Sequence, residues 1–319
     1  MSRIATLLIA VVLAFAPCIA GSQAYPTKPI KFIVPFGPGG SGDITARLFA
    51  RYLEDQWKQP VAVENRPGAN GLIGTEAIKN SPPDGYTIGL ASGSTHAAAP
   101  SLFKTLPYDP LKDFEHVGLF GVLGSALVVT PGAPFKTVPE LVAYSKANPG
   151  KVFFGYFNTS SQVPAEILRA RAGIPIEGVS YKTIANAIPD LVSGRIQFMF
   201  IDYVAASAHI TAGRFVPIAI SEAGRLERWP NVPAVAEFYP GYEIMAFLSL
   251  EAPAGTPRPV VARLNQAMRD AQADPAFKEK LEAMGLRLTP YTAEQYREFL
   301  VKELRNWAGY AKAARIEPQ

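Results

Sequence analysis

Ile30-Lys31-Phe32-Ile33-Val34-Pro35-Phe36-Gly37-Pro38-Gly39-Gly40-Ser41-Gly42-Asp43-Ile44 is the stretch whose reading decides this chain. Ile30–Phe36 is an apolar run of strand length. Gly37–Gly42 carries four glycines, and the residues from Asp43 to Trp57 place Ile44, Leu48, Tyr52 and Leu53 at helical spacing. A buried strand, a loop rich in free amides and the first turn of a helix together make an anion-binding device out of backbone. The helix adds about half a positive charge at its start, so an anion can sit there without an arginine. The competing reading is a tight turn with Asp43 as N-cap. On this loop alone the two readings stand level.

The stretch lies just behind an export signal. Arg3 supplies a positive n-region, Ile4–Ala16 is apolar and uncharged, and Ser22-Gln23-Ala24 offers small residues before a cut at Tyr25. The run is shorter than the roughly 20 residues a membrane span needs, and Pro17 and Gly21 end it. Cys18 is either a discarded signal residue or a lipid-attachment cysteine preceded by an unsuitable Pro17. A cut after Ala24 leaves no cysteine, which removes disulfides, thiol catalysis and thiolate metal sites. Losing Arg3 takes the formal charge only from +4 to +3, and the basic residues are scattered. Nucleic acid is therefore not an expected partner.

About 295 mature residues is a length at which chains split into two cores. Strand and helix signals alternate. Ile30–Phe36, Pro60–Glu64 and Tyr86–Ala91 read as strands, with helices over Asp43–Trp57 and Gly71–Lys79 between them. The pattern then restarts. Strands are expected at Leu127–Thr130, Val152–Tyr156, Val179–Tyr181, Arg195–Ile201 and Val216–Ile220. Thr137 with Glu140 opens a helix that closes near Asn148-Pro149-Gly150, and Ala165–Ala172 is a helix ended by Gly173. Asp274-Pro275 starts a helix stopped by Gly285, and Thr292 with Gln295 caps the last, running to about Ala314. The alternation predicts an α/β fold with largely parallel sheet, in two units that face each other across a cleft.

Gly37-x-Gly39-x-x-Gly42 also matches the dinucleotide fingerprint, with Glu64 about 20 residues on where a ribose-binding acid would stand. Pro38 stiffens the turn, Asn65-Arg66-Pro67-Gly68 reads as a turn, and an exported domain meets no NAD pool. A small carboxylate is the better expectation, and no cofactor is expected.

Polar groups recur at strand ends. Ser92-Gly93-Ser94-Thr95-His96 follows the third strand, and Asn158-Thr159-Ser160-Ser161 follows Val152–Tyr156 at the equivalent place in the second unit. Each alone reads as a helix cap; both together suit a ligand held from two walls. Tyr181-Lys182-Thr183 follows another strand, and Asp202 is either a helix cap or a ligand acceptor. Phe36, Tyr156, Phe157 and Phe247 are candidate walls or core. His96, His116 and His209 lack metal-ligand spacing, so no metal is expected. No Gly-x-Ser-x-Gly elbow is present, which leaves a hydrolase triad without support.

A set of ordered motifs goes further. Tyr25-Pro26-x-Lys28-Pro29-Ile30, Val34-Pro35-Phe36-x-Pro38-Gly39-Gly40-x-x-Asp43 and Val63-Glu64-Asn65-Arg66-Pro67-Gly68-Ala69 are followed by Pro83-Asp84-Gly85-Tyr86-Thr87. Leu106-Pro107-Tyr108-Asp109-Pro110-x-Lys112-Asp113-Phe114 and Ala252-Pro253-Ala254-Gly255-Thr256-Pro257 complete the set. From Tyr25 to its C-terminus the chain resembles the periplasmic solute-binding receptors of tripartite tricarboxylate transporters, the Bug receptors. The resemblance implies two Rossmann-like lobes around a cleft, a periplasmic-binding-protein (Venus flytrap) fold. Lobe 1 would be 25–123 plus 247–319, and lobe 2 would be 124–246. It implies a non-catalytic, monomeric receptor that captures a small carboxylate and presents it to membrane transporter subunits or, alternatively, to a sensing system. The implied contacts are Phe36, Gly39, Gly40, Ser41, Gly42 and Asp43, then Ser92, Gly93, Ser94 and Thr95. From the second lobe come Asn158, Thr159, Ser160, Ser161, Tyr181, Lys182, Thr183 and Asp202. Two positions depart from the family pattern. Thr183 stands where glycine usually follows Tyr-Lys, and Gln162 stands where histidine is common.

Overall fold

A computed structural model describes residues 25–318. The export signal at 1–24 and the cut after Ala24 lie outside the described residues.

The decisive stretch folds as its pattern predicts. β1 (Ile30–Val34) is a buried strand, and α1 (Ser41–Trp57) follows the glycine loop. β1 is paired in parallel with both β2 (Val61–Asn65) and β3 (Thr87–Ser92). Helix α2 (Leu72–Lys79) connects β2 to β3. After β3 the chain makes a π-helical turn over Gly93–Ala98 and runs into α3 (Ala99–Leu102).

Two long strands join the halves. β4 (Phe114–Leu123) leads through the single residue Gly124 into β5 (Ser125–Val129). A side chain at Gly124 would meet the Tyr203 hydroxyl at 2.6 Å, so only glycine fits this crossing. The second half then runs α4 (Val138–Ala147), β6 (Phe153–Tyr156), α5 (Thr159–Ala172), β7 (Glu177–Ser180), α6 (Ile184–Val192), β8 (Phe198–Asp202), α7 (Tyr203–Thr211) and β9 (Val216–Ile220). β10 (Ala246–Pro253) returns to the first sheet. It is followed by α8 (Arg258–Ala273), α9 (Pro275–Ala283), the short β11 (Arg287–Leu288) and α10 (Ala293–Ala314).

The first sheet has the order β11-β4-β10-β3-β1-β2, and the second β7-β6-β8-β5-β9. Both are mixed, which corrects the expectation of largely parallel sheet. β10 lies antiparallel between β3 and β4, and β5 antiparallel between β8 and β9. The strands that run against their sheets are β5 and β10, which carry the chain between sheets, and the short β11. A strand that arrives from the other half is not joined to its neighbour by the local strand–helix–strand crossover that parallel pairing needs. β4, β10 and β11 also escape the sequence reading.

Each half has its own core. In the first, Phe49 stacks edge-on against Phe32 and Phe120, with ring centroids 6.5 and 5.2 Å apart. In the second, Met199, Ile201 and Tyr203 pack with Ile184 and Leu191. A third cluster spans both, and the buried Tyr296, Leu300 and Trp307 of α10 belong to it. Thr292 and Gln295 form the capping box expected at the start of α10.

α5 differs from its sequence reading. It starts at Thr159 rather than near Ala165, because the Asn158 side chain caps it at the Ser161 amide, 2.9 Å. Pro164 sits inside this helix. Its carbonyl accepts a buried hydrogen bond from the Tyr242 hydroxyl, 2.7 Å. Asn158–Ser161 is thus a helix N-terminus, not a free loop.

Candidate functional site

Between the two sheets lies an inner cavity of ≈ 40 Å³ with an adjoining recess of ≈ 20 Å³. The first half contributes Phe36, Gly37, Gly40, Ser41, Gly42, Ser92 and Ser94. The second contributes Phe157, Asn158, Ser160, Ile184 and Asp202. The crossing strands supply Leu123, Ala246, Phe247 and Leu248. No lysine, arginine or histidine is in the lining of either space.

The polar character of the cavity comes from helix ends. No side chain caps α1. Its N-terminal residues Ser41 and Gly42 line the cavity, and the first intrahelical bond runs from the Ile44 amide to the Gly40 carbonyl. The earlier amides of that turn are the orphan donors of any helix start and are free to meet an anion. Asn158 and Ser160, at the start of α5, approach from the other wall.

Asp43 explains how the glycine loop keeps its shape. Its buried carboxylate accepts from the Gly39 amide at 3.0 Å and from Asn65 Nδ2 at 2.9 Å, and it pairs with Arg47 at 2.9 Å. Burial alone would raise its pKa; the bonds from Arg47, Gly39 and Asn65 outweigh it and hold the carboxyl below its ordinary value. Asp43 and Gly39 are therefore loop fixtures that do not line the cavity. Thr95 and Thr159 are fully buried away from it, and Gly93 packs against the Trp307 ring. Ser161 lines only the smaller recess and is tied into the α5 cap.

Asp202 does line the cavity. It caps α7 at the Ala205 amide, 2.9 Å, and shares the cavity lining with Ser41 of the other half. Burial raises its pKa despite the bond from the Ala205 amide. A raised carboxyl penalises the charged folded form, so its cost is present above the ordinary carboxylate range and fades as pH falls. Asp202→Asn is therefore expected to raise the unfolding midpoint of the ligand-free protein at pH 7, with the gain shrinking towards pH 4. Melting curves across that range check it; a gain independent of pH would disconnect the effect from the charge.

The halves meet directly at this cavity. Ser94 and Ser160 hydroxyls lie 2.9 Å apart, and the Ser160 amide donates to Ser94 at 3.1 Å. Gly37 lies so close to Thr183 that a Cβ would meet the threonine Cγ2 at 2.4 Å and Cβ at 2.8 Å. Gly37→Ala has no positive φ to oppose it, so its conflict is with Thr183 alone. The variant is expected to fold normally but to hold the lobes apart and weaken ligand binding about tenfold, the equivalent of roughly 1.4 kcal/mol. Titration calorimetry of Gly37→Ala and of Gly37→Ala with Thr183→Gly reads this; the second change should restore affinity.

Tyr181, Lys182 and Thr183 do not line the inner cavity. They line a larger, outer one of ≈ 470 Å³, which shares Phe36, Gly37 and Phe157 with it. Of the aromatic candidates, Phe36, Phe157 and Phe247 wall the inner cavity, while Tyr156 packs against Phe154. Leu123, Ala246 and Trp307 were beyond sequence reasoning, since they reach the site only through the crossing strands and the C-terminal helix. The dinucleotide alternative loses its acid: Glu64 pairs with Arg66 at 2.6 Å and with Lys31 at 3.5 Å.

Two mixed α/β lobes with crossing strands and a polar cleft between them define the class of two-lobed binding proteins. Residues 45–315 match the family described as tripartite tricarboxylate transporter family receptor (TctC). The chain is 36% identical to Protein BugT of Bordetella pertussis over 295 residues, 91% of this chain and 90% of the relative. Its structure resembles that of Rpa4515 of R. palustris with adipate, at a TM-score of 0.89 and 29% identity, covering 92% of this chain and 100% of that one. MatC of Rhodopseudomonas palustris with bound malate gives 0.84 and 27%, covering 90% and 99%. The chain belongs to the tripartite tricarboxylate transporter receptor family.

Proposed function

We propose that this chain is a periplasmic, non-catalytic receptor that closes its lobes on a small carboxylate and presents it to a tripartite tricarboxylate-type membrane transporter. Lobe 1 comprises 25–123 plus 247–319, lobe 2 comprises 124–246, and the exported monomer begins at Tyr25. The observation that carries this reading is a cavity lined by the starts of two helices and by no cationic side chain. Such a cavity suits an anion held by amides and dipoles. The adipate and malate bound by Rpa4515 and MatC support the carboxylate class.

Capture would begin with one carboxylate of the ligand on the α1 amides around Gly40–Gly42. Ser92 and Ser94 flank it from the same lobe. Closure brings Asn158, Ser160 and Asp202 onto it and excludes water, which strengthens every amide–anion bond. The ligand shifts the open–closed balance only by its differential affinity for the closed form. The Ser94–Ser160 and Gly37–Thr183 contacts belong to that form. Asp202, the one acid in the lining, suits a hydroxyl, ammonium or protonated carboxyl on the ligand.

Thermal unfolding of the protein against a panel of carboxylates, with NAD and sulfate as controls, tests the reading. A concentration-dependent rise of the midpoint with carboxylates is expected. A rise with NAD alone, or with sulfate as strongly as with any carboxylate, would sink it.

A further inference from the structure

Away from the cavities the two halves meet a second time. Arg287 on β11, in the first sheet, pairs at 3.1 Å with Glu222, just behind β9 of the second. Among the described residues it is the one ion pair that joins the halves. Arg228, on the same loop as Glu222, donates from Nη1 to the Ala283 carbonyl at 3.0 Å. Ala283 is the last residue of α9, so this carbonyl is one of the acceptors a helix leaves without a partner, at the negative end of its dipole. An arginine of one half thus caps a helix of the other.

The approach is close. A Cβ at Gly285 would meet Arg228 Nη1 at 2.6 Å and Tyr203 Cβ at 2.7 Å. The Arg228 guanidinium lies over the Trp229 ring, 4.1 Å from its centroid, and 5.6 Å from that of Tyr203, so its own half holds it in place. Glu222, Arg228, Gly285 and Arg287 line a groove of ≈ 510 Å³ shared by the halves. None of them lines the inner cavity, its recess or the outer cavity. Tyr203 directly follows Asp202, so the start of α7 faces the inner cavity with one residue and packs against Gly285 with the next. A hydrogen bond at 3.0 Å is lost once its partners part beyond about 3.5 Å. A small rotation of one half against the other is therefore enough to break both contacts.

We propose that Arg228 and Arg287 are the two bolts of a latch that holds the lobes closed from outside the cleft. They are positioning residues: they touch no ligand and act on capture only by stabilising the closed arrangement against the open one. The latch rests on the capture reading above and adds to it what keeps the captured form shut. Because it does not contact the ligand, it favours every ligand by the same factor. Because it forms on closure, it slows release and leaves association alone.

Stopped-flow binding and calorimetry with succinate, malate and adipate test it, on the parent, Arg287→Gln, Glu222→Gln, the double variant and Arg228→Met. For each acid that binds the parent, Arg287→Gln is expected to speed release about two- to fivefold, the range of an ion pair with an exposed partner, with the association rate unchanged. The factor should be the same for each of those acids. Arg228→Met should act in the same direction. The double variant should be no weaker than Arg287→Gln alone, since each change removes the same pair. Arg287 is exposed, so parent-like melting curves are expected of Arg287→Gln and show that it folds. Parent-like release in both Arg287→Gln and Arg228→Met would make the cluster a static brace and overturn the latch while leaving capture intact. A factor that differs between acids, or additive effects of Arg287→Gln and Glu222→Gln, also overturns it. No binding of any of the three acids by the parent overturns capture and the latch together.

Discussion

Gly40→Val is expected to reduce affinity for every carboxylate at least about 100-fold, roughly 2.7 kcal/mol, and to leave the melting of the ligand-free protein almost unchanged. Gly40 is buried, yet a Cβ there meets nothing closer than the Gly37 carbonyl at 3.7 Å. Its dihedrals, φ −79° and ψ 165°, are extended and suit a β-branched residue. The valine therefore costs the backbone nothing, and its methyl groups enter the inner cavity beside the α1 amides. The neighbouring glycine offers no such clean test. Gly39 has φ 79°, and its amide is bound to Asp43, so a side chain there would disturb the loop itself. Calorimetry with a carboxylate that binds the parent protein, paired with melting curves, reads the outcome. Parent-like affinity in Gly40→Val would remove the carboxylate from the start of α1.

Glu251→Gln is expected to have the largest effect on stability, a loss of about 3 kcal/mol or more at pH 7. Glu251 is fully buried on β10, with Oε1 2.7 Å from His96 Nε2 and Oε2 3.7 Å from His116 Nδ1. Burial alone would raise its pKa, but the two histidines outweigh it and keep the carboxyl below its ordinary value. A depressed carboxyl contributes stability that is present above the unfolded-state value of about 4.3 and is lost as pH falls through the folded value. The difference between parent and variant should thus be complete at pH 7 and shrink below pH 4. Denaturant titrations at several pH values measure it, and a difference that persists undiminished at acid pH would show that shape, not charge, matters at this position. The cluster also reaches the site. His96 Nδ1 is 2.9 Å from the Thr95 hydroxyl, and Thr95 forms the capping box with Ser92, a cavity residue. Some loss of ligand affinity should accompany the loss of stability.

Much of the fold was legible because periodicity and punctuation act locally. β1, α1, β9 and the start of α10 fall where apolar spacing and caps put them. α5 starts six residues before the expected Ala165, because the Asn158 side chain caps it at Thr159. β4 and β10 were missed because they are buried on both faces and carry no alternation, only mixed apolar runs such as Phe114–Leu123. Their antiparallel pairing is a consequence of where the chain goes, not of what the strands contain.

The candidate site divides in the same way. The glycine loop, the Ser92–Thr95 turn and the Asn158–Ser161 helix start were visible as polar groups at strand ends. The sequence by itself determined an α/β chain, an amide-rich helix start at Gly40–Gly42 and the family, since these rest on local geometry and on ordered motifs. Only the tertiary structure decided which of those groups share a cavity, that Asp43 braces the loop, that Asp202 faces the cleft, and that Lys182 belongs to a separate outer space. The brace at Asp43 needs Asn65, 22 positions on, and the other distinctions depend on residues from opposite lobes, which only the crossings at Gly124 and Ala246 bring together.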